Sequence, residues 1–174
     1  TRPARVSHAV LLDGAPLMTH STEVPLRIAG YLDDLKKPRT RKTVQDVASA
    51  VERMRRAQPL LPAAVAQHLT EGGVGPDPAQ GGVLAWKWDP LVRAHSPLPF
   101  SEGVLQALLP QVTAKVLLLR AQNGILPDEI ELKSRLGRLA ALELESVTGT
   151  SHHLHLEQPE AVAALIRRDW ERRS

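Results

Sequence analysis

Cysteine is absent from the 174 residues, which excludes a disulfide framework, a Cys-based zinc site and a thiol nucleophile. A reducing cytoplasm is then the default expectation for where the chain works. Aromatic residues are nearly as scarce, with three Trp, one Tyr and one Phe. Arg and Lys alternate with Asp and Glu through most of the chain. Together these features argue against nucleic acid as a partner, although the formal net charge is +3 and the pI is near 9.6. No apolar run approaches the roughly 20 residues of a membrane helix, and the N-terminus has neither an h-region nor a cleavage site, so no membrane association is expected. Internal repeats and low-complexity tracts are missing too. The first residue is Thr1 rather than Met, and from this a processed, split or truncated chain is expected.

What remains is ordinary globular material, 43% hydrophobic and 24% charged, enough for the core of one domain or a compact half of a larger one. Residues 6 to 12, Val-Ser-His-Ala-Val-Leu-Leu, form an apolar run stopped by Asp13-Gly14-Ala15-Pro16, the pattern of a buried strand in a parallel sheet. Helical stripes follow through Leu26, Ile28, Ala29, Leu32 and Leu35, then from Thr43 through Val44, Val47, Val51 and Met54. A third helix is expected from Pro62 to Gly72-Gly73, and a fourth, capped by Ser101, through Val104, Leu105 and Leu108. Between these two lies a Gly/Pro-rich loop and then residues 83–90, a short edge strand or an extended loop. The pattern changes at residue 111. Residues 114–120 are a second continuous apolar strand, Pro127 opens an acidic-started helix, residues 142–147 read as a strand nearer the sheet edge, and Pro159 opens a last helix. The two late strands are far enough apart for a right-handed crossover and are expected to be parallel neighbours. Three strands do not complete a doubly wound sheet, so the fold reads as incomplete, with an apolar sheet edge that should make the chain alone fold poorly as a monomer.

The densest group of chemically useful residues is Gly149-Thr150-Ser151-His152-His153-Leu154-His155-Leu156-Glu157, after a strand and before a helix, where α/β proteins build sites. One of its histidines is placed as a general base; the plain alternative is a solvated polar loop. A zinc site is disfavoured, because the histidines lack the i, i+4 spacing and a carboxylate motif. Gly149-x-Ser151-x-His153 is only half of a G-x-S-x-G elbow, since that strained turn needs small residues on both sides of the serine. Ser101 fails on the other side, so the chain holds no serine nucleophile.

Four segments carry a family resemblance: Val10-Leu11-Leu12-Asp13, Gly81-x-x-x-x-Trp86-Lys87-Trp88-Asp89-Pro90, Lys115-Val116-Leu117-Leu118-Leu119-Arg120-Ala121, and Ser151-His152-His153-Leu154-His155-Leu156-Glu157-x-Pro159-Glu160-x-Val162-Ala163. In this order the chain resembles the C-terminal part of the α/β-hydrolase superfamily, nearest to the serine hydrolase-like proteins. The resemblance implies an α/β fold of parallel strands with flanking helices and a helical cap insertion. Residues 1–20 would supply a core strand, 21–110 the helical cap, and 111–174 a strand-helix-strand-helix end of the core. It also implies a triad in the order nucleophile, acid, histidine, with the elbow before the first strand and so in a missing N-terminal half of the fold.

By motif position the base is His152, with His153 as the fallback and His155 structural; Ser151 stands where the family usually has glycine. The acid is commonly an Asp in the loop after residues 116–120, where this sequence has Asn123 or Gly124. Asp13, after the first strand, stands ahead of Asp128, whose plain reading is a helix N-terminal acid. The implied function is hydrolysis of a small apolar ester or related substrate by nucleophilic acyl transfer, without cofactor or metal. Trp86, Trp88 and Phe100 would line the substrate pocket, or else pack the cap. The competing expectation is a non-catalytic binding protein on a degenerate hydrolase fold, since fold alone does not establish activity.

Overall fold

The computed structural model describes residues 2–15, 21–37, 40–94, 96 and 102–173. In chain order its elements are β1 (His8–Leu12), α1 (Val24–Lys36), β2 (Thr43–Val44), α2 (Val47–Ala57), α3 (Ala63–Gly73), β3 (Val74–Asp77), β4 (Gln80–Trp86), α4 (Glu102–Leu108), β5 (Lys115–Asn123), α5 (Glu129–Leu136), β6 (Leu142–Ser151), α6 (Leu154–Glu157) and α7 (Pro159–Arg173). They fall into two units, one built from residues 1–19 and 100–174 and the other from residues 20–99.

In the first unit the two continuous apolar runs pair with each other. β5 lies in the middle of a parallel sheet of order β1-β5-β6, with Val10 opposite Leu117 and Leu118 opposite Leu144. A central parallel strand must be apolar on both faces, and side chains alternate across it. Leu117, Leu119 and Ala121 accordingly pack on Val147, Leu154 and Val162, with Leu165 and Ile166 of α7 alongside. Leu118 faces the other way, into Leu105, Leu109, Leu126, Leu132 and Leu136 from the α4 and α5 side. The expected parallel neighbours are therefore present, with helices on both faces. α4 belongs to this core through Leu105, with Leu109 of the turn that follows it, whereas the sequence reading placed both in the 21–110 insertion; its expected cap, Ser101, lies outside the described residues.

Two further boundaries differ for local reasons. α5 begins two residues later than the Pro127 signal, because Asp128 is the N-cap and accepts a bond from the Glu131 N–H at 2.9 Å. Replacing Asp128 by alanine is expected to lower unfolding stability by about 1 kcal/mol, read by chemical denaturation. β6 extends beyond Val147 to Ser151, because a register shift after Ala121 lets Asn123 pair with Ser151. Gly149 in this extension has φ +68°, the left-handed region in which glycine escapes the Cβ penalty.

The second unit departs from the helical expectation, because it contains an antiparallel sheet of order β2-β4-β3 beside its helices. Thr43 and Val44 are strand, and α2 starts only at Val47, after a capping box. In that box the Asp46 carboxylate accepts from the Ser49 N–H at 2.7 Å, while the Asp46 N–H donates to Ser49 Oγ at 3.3 Å. β3 carries Pro76, which an edge strand tolerates because on its outer side a missing N–H costs the sheet no ladder bond. The buried Asp77 accepts from the Ala79 N–H at 2.9 Å and turns the chain into β4. Val44, Ala50 and Val74 form the core of this unit, with Leu84 and Trp86 packed against it.

Candidate active site

The carboxyl ends of β1, β5 and β6 bring together residues far apart in the chain. β1 delivers Asp13 at its end, with φ 45°, a left-handed conformation that aspartate tolerates better than most residues. The Asp13 N–H continues the ladder to the Leu119 carbonyl at 2.7 Å, and its side chain then turns over the end of β5. There Oδ1 accepts from the Ala121 N–H and Oδ2 from the Ile125 N–H, each at 3.0 Å. Oδ2 also lies 3.0 Å from Nδ1 of His152, the residue that follows β6. Asp13 is 0% exposed, while the His152 side chain is 41% exposed. A buried carboxylate without a cation is expensive unless hydrogen bonds surround it, and here two main-chain N–H groups and an imidazole do so.

The loop after β5 is shaped to admit that carboxylate. Gly124 closes a turn by donating to the Ala121 carbonyl at 3.3 Å, and a Cβ on Gly124 would overlap both Asp13 carboxylate oxygens. The loop where the resemblance leads one to look for the acid thus lies against a carboxylate from the end of β1, which needs the space that glycine leaves at 124. With Nδ1 committed to Asp13, Nε2 is the His152 nitrogen left to exchange a proton with a reacting group. An imidazole held in this way can act chemically as an oriented general base.

No protein-family model and no curated protein sequence matches the chain. Solved structures do. The thioesterase domain of the curacin biosynthetic pathway superposes with a TM-score of 0.78 at 24% identity over 96% of this chain and 59% of that one. A hypothetical protein from Pseudomonas aeruginosa gives 0.73 at 25% identity, over 95% and 58%. An esterase of M. tuberculosis gives 0.71 at 14%, over 95% and 55%. These are α/β-hydrolase folds. The chain has the C-terminal part of the α/β-hydrolase fold. It spans somewhat more than half the length of these structures, 55–59%.

Within this α/β-hydrolase fold the other candidates find different uses. Asp128, as the cap of α5, is engaged with the Glu131 N–H, and the Asp13 carboxylate is the one beside His152. Trp86 packs in the core of the second unit, against the face of Gly73. The Trp88 ring carries the Arg93 guanidinium at 5.0 Å, and Phe100 lies outside the described residues. His153 stacks 4.9 Å from His152, and His155 is exposed on α6. Among the described residues no group of three or more His, Asp or Glu is arranged to hold a metal ion, and no helix is long and apolar enough to cross a membrane. An apolar cavity of about 400 Å³ is lined by Val6, Ala9, Leu108, Val112 and Ala114. It lies toward the amino ends of β1 and β5, away from the Asp13–His152 pair at their carboxyl ends.

Burial, reinforced by the positive charges that His152 and His155 acquire, pushes the His153 pKa below the usual histidine value. A histidine whose folded-state pKa is lowered favours folding in its neutral form. The stability it contributes is therefore intact above an unfolded pKa of about 6.5 and is lost as pH falls from there through the folded value. Wild type is expected to lose stability below about pH 6.5 relative to His153→Gln, as denaturation curves across that range would show.

Sequence reasoning did not single out Gly124 as a requirement of the acid, nor Gln122, Gln158 and Glu157 around the histidine loop. The Gln122 amide oxygen accepts from the Gly149 N–H at 2.7 Å, and the Gln158 amide donates to the Thr148 carbonyl at 3.2 Å. Only the motif containing Glu157 carried a sequence signal, through its position before Pro159.

Proposed function

We propose that the chain is the acid-and-base half of an α/β-hydrolase that cleaves a small apolar ester or thioester by acyl transfer. The observation that carries this reading is the Asp13–His152 pair at the carboxyl ends of a parallel sheet. A nucleophile from outside these 174 residues attacks the acyl carbon, His152 Nε2 takes its proton, and the tetrahedral intermediate collapses as His152 returns that proton to the leaving group. Water then attacks the acyl-enzyme with His152 again as base, releasing the acid and freeing the nucleophile. Asp13 holds the imidazole in the Nδ1–H tautomer and stabilises the imidazolium of each transfer. The esterase and thioesterase names among the similar structures support the substrate class.

The nucleophile would come with strands pairing along β1, which among the described residues pairs only with β5 and leaves Val10 39% exposed. The second reading, a binding protein on the same fold, is favoured by one observation: no G-x-S-x-G occurs in the 174 residues. The test is the protein produced with the coding sequence upstream of Thr1, assayed on acyl esters and thioesters and with a fluorophosphonate probe. Hydrolysis and labelling that need the upstream part, with turnover abolished by His152→Ala, support the enzyme. A natural start at Thr1, or an upstream elbow without a nucleophile, supports the binder.

A further inference from the structure

Glu157, at the end of α6, is bound to the residue that precedes His152. Its Oε2 accepts from the Ser151 N–H at 2.6 Å, and its Oε1 accepts from the Ser151 hydroxyl. Both donors of one residue are thus held by one carboxylate, across a loop of five residues that contains His152. The far end of that loop is anchored as well, because the Leu154 side chain is fully buried and the Leu156 N–H donates to the His153 carbonyl at 2.8 Å. His152 itself is 41% exposed, and its bond to Asp13 joins it to a strand that is not its own. The direction of its ring therefore depends on how firmly the main chain at 151 is held. A displacement of about 1 Å at a catalytic group can cost a hundredfold in rate.

Glycine at 151, which the family resemblance leads one to expect, would offer Glu157 only the main-chain donor. The serine of this chain adds the second and makes the grip two-pronged, with charge-assisted bonds stronger than neutral ones.

We propose that Glu157, acting through Ser151, is a positioning residue that holds the His152 imidazole against Asp13. This rests on the reading of Asp13 and His152 as the acid–base pair, and the experiment separates the two ideas because it needs no turnover.

In the full-length chain labelled with ¹⁵N-histidine, long-range ¹H–¹⁵N spectra read the tautomer of each imidazole, and hydrogen exchange reads opening of residues 151–157. Wild-type His152 is expected to be the Nδ1–H tautomer, and Asp13→Asn to abolish that preference. Glu157→Ala should convert His152 to a tautomer mixture and raise opening of the loop about a hundredfold, with Ser151→Ala raising it about tenfold. Glu157→Gln should retain the tautomer, since its amide oxygen still accepts from the Ser151 N–H. If wild-type His152 shows no Nδ1–H preference, the pairing with Asp13 fails and the positioning role with it. If wild type shows it and Glu157→Ala changes neither tautomer nor exchange, the positioning role alone is overturned. Should Glu157→Ala fail to fold, unchanged exchange in Ser151→Ala overturns it equally.

Discussion

Replacing Asp13 by alanine is expected to cost about 2–5 kcal/mol of unfolding stability, at about 1–3 kcal/mol for each buried donor left without its acceptor. The change strands three donors at once: the Ala121 and Ile125 N–H groups and Nδ1 of His152. The Ala121 N–H belongs to a strand whose residues 117–119 are fully buried, where water replaces a lost partner poorly, while the Ile125 N–H lies in the loop that follows. Asp13→Asn preserves volume and one acceptor but turns an NH₂ toward donors, so it should cost less stability. It should still disturb the imidazole, because an amide that donates to Nδ1 selects the opposite tautomer. In a catalytically complete protein that substitution is expected to lower kcat about 10⁴-fold, as in the analogous triad change. Denaturation curves of the two variants, with kcat where turnover is measurable, check both halves. A loss below about 1 kcal/mol for Asp13→Ala would show that the buried carboxylate does not organise this end of the sheet.

Gly124→Ala is expected to be nearly as damaging, although it adds only a methyl group to a surface loop. The new Cβ would sit 2.5 Å from Asp13 Cγ and overlap both oxygens, so either the loop or the carboxylate must move. Overpacking of this kind costs about 1–3 kcal/mol, and displacing Asp13 from its donors adds to it. The decisive measurement is the double variant. Once Asp13 is alanine the space is free, so Gly124→Ala should add little, giving a coupling energy of about 2–3 kcal/mol between the sites. Gly81→Ala provides the control, since nothing lies within 4 Å of its Cβ position. Equal effects of Gly124→Ala with and without Asp13 would mean that the glycine serves the turn and not the carboxylate.

The hydrophobic pattern made the sheet of the first unit legible. Residues 116–119 are apolar at consecutive positions because β5 has a helical layer on each face, and no amphipathic element would carry that run. The β2-β4-β3 sheet was legible only in part: the strand alternative for residues 83–90 meets β4 over residues 83–86, at the centre of the sheet and not at its edge. β2 has two residues, β3 carries a proline, and Asp77 is buried for a turn, so the local signals of loop outweighed those of strand. The Thr43 start failed similarly: two β-branched residues beginning an apolar stripe fit a strand as well as a helix, and the capping box three residues on decided it.

The candidate site divides along the same line. By itself the sequence determined the α/β class, the absence of sulfur chemistry and of an elbow serine, and the concentration of imidazoles after β6, because composition and strand-end patterns are local properties. It narrowed the candidates for the acid to Asp13 and Asp128, with Asp13 slightly ahead. Only the tertiary structure put Asp13, 139 positions away in sequence, against His152 and sent Asp128 to a helix cap. Parallel strands place their carboxyl ends side by side whatever the length of chain between them, and that adjacency, like the space Gly124 leaves for the carboxylate, has no counterpart in spacing along the chain.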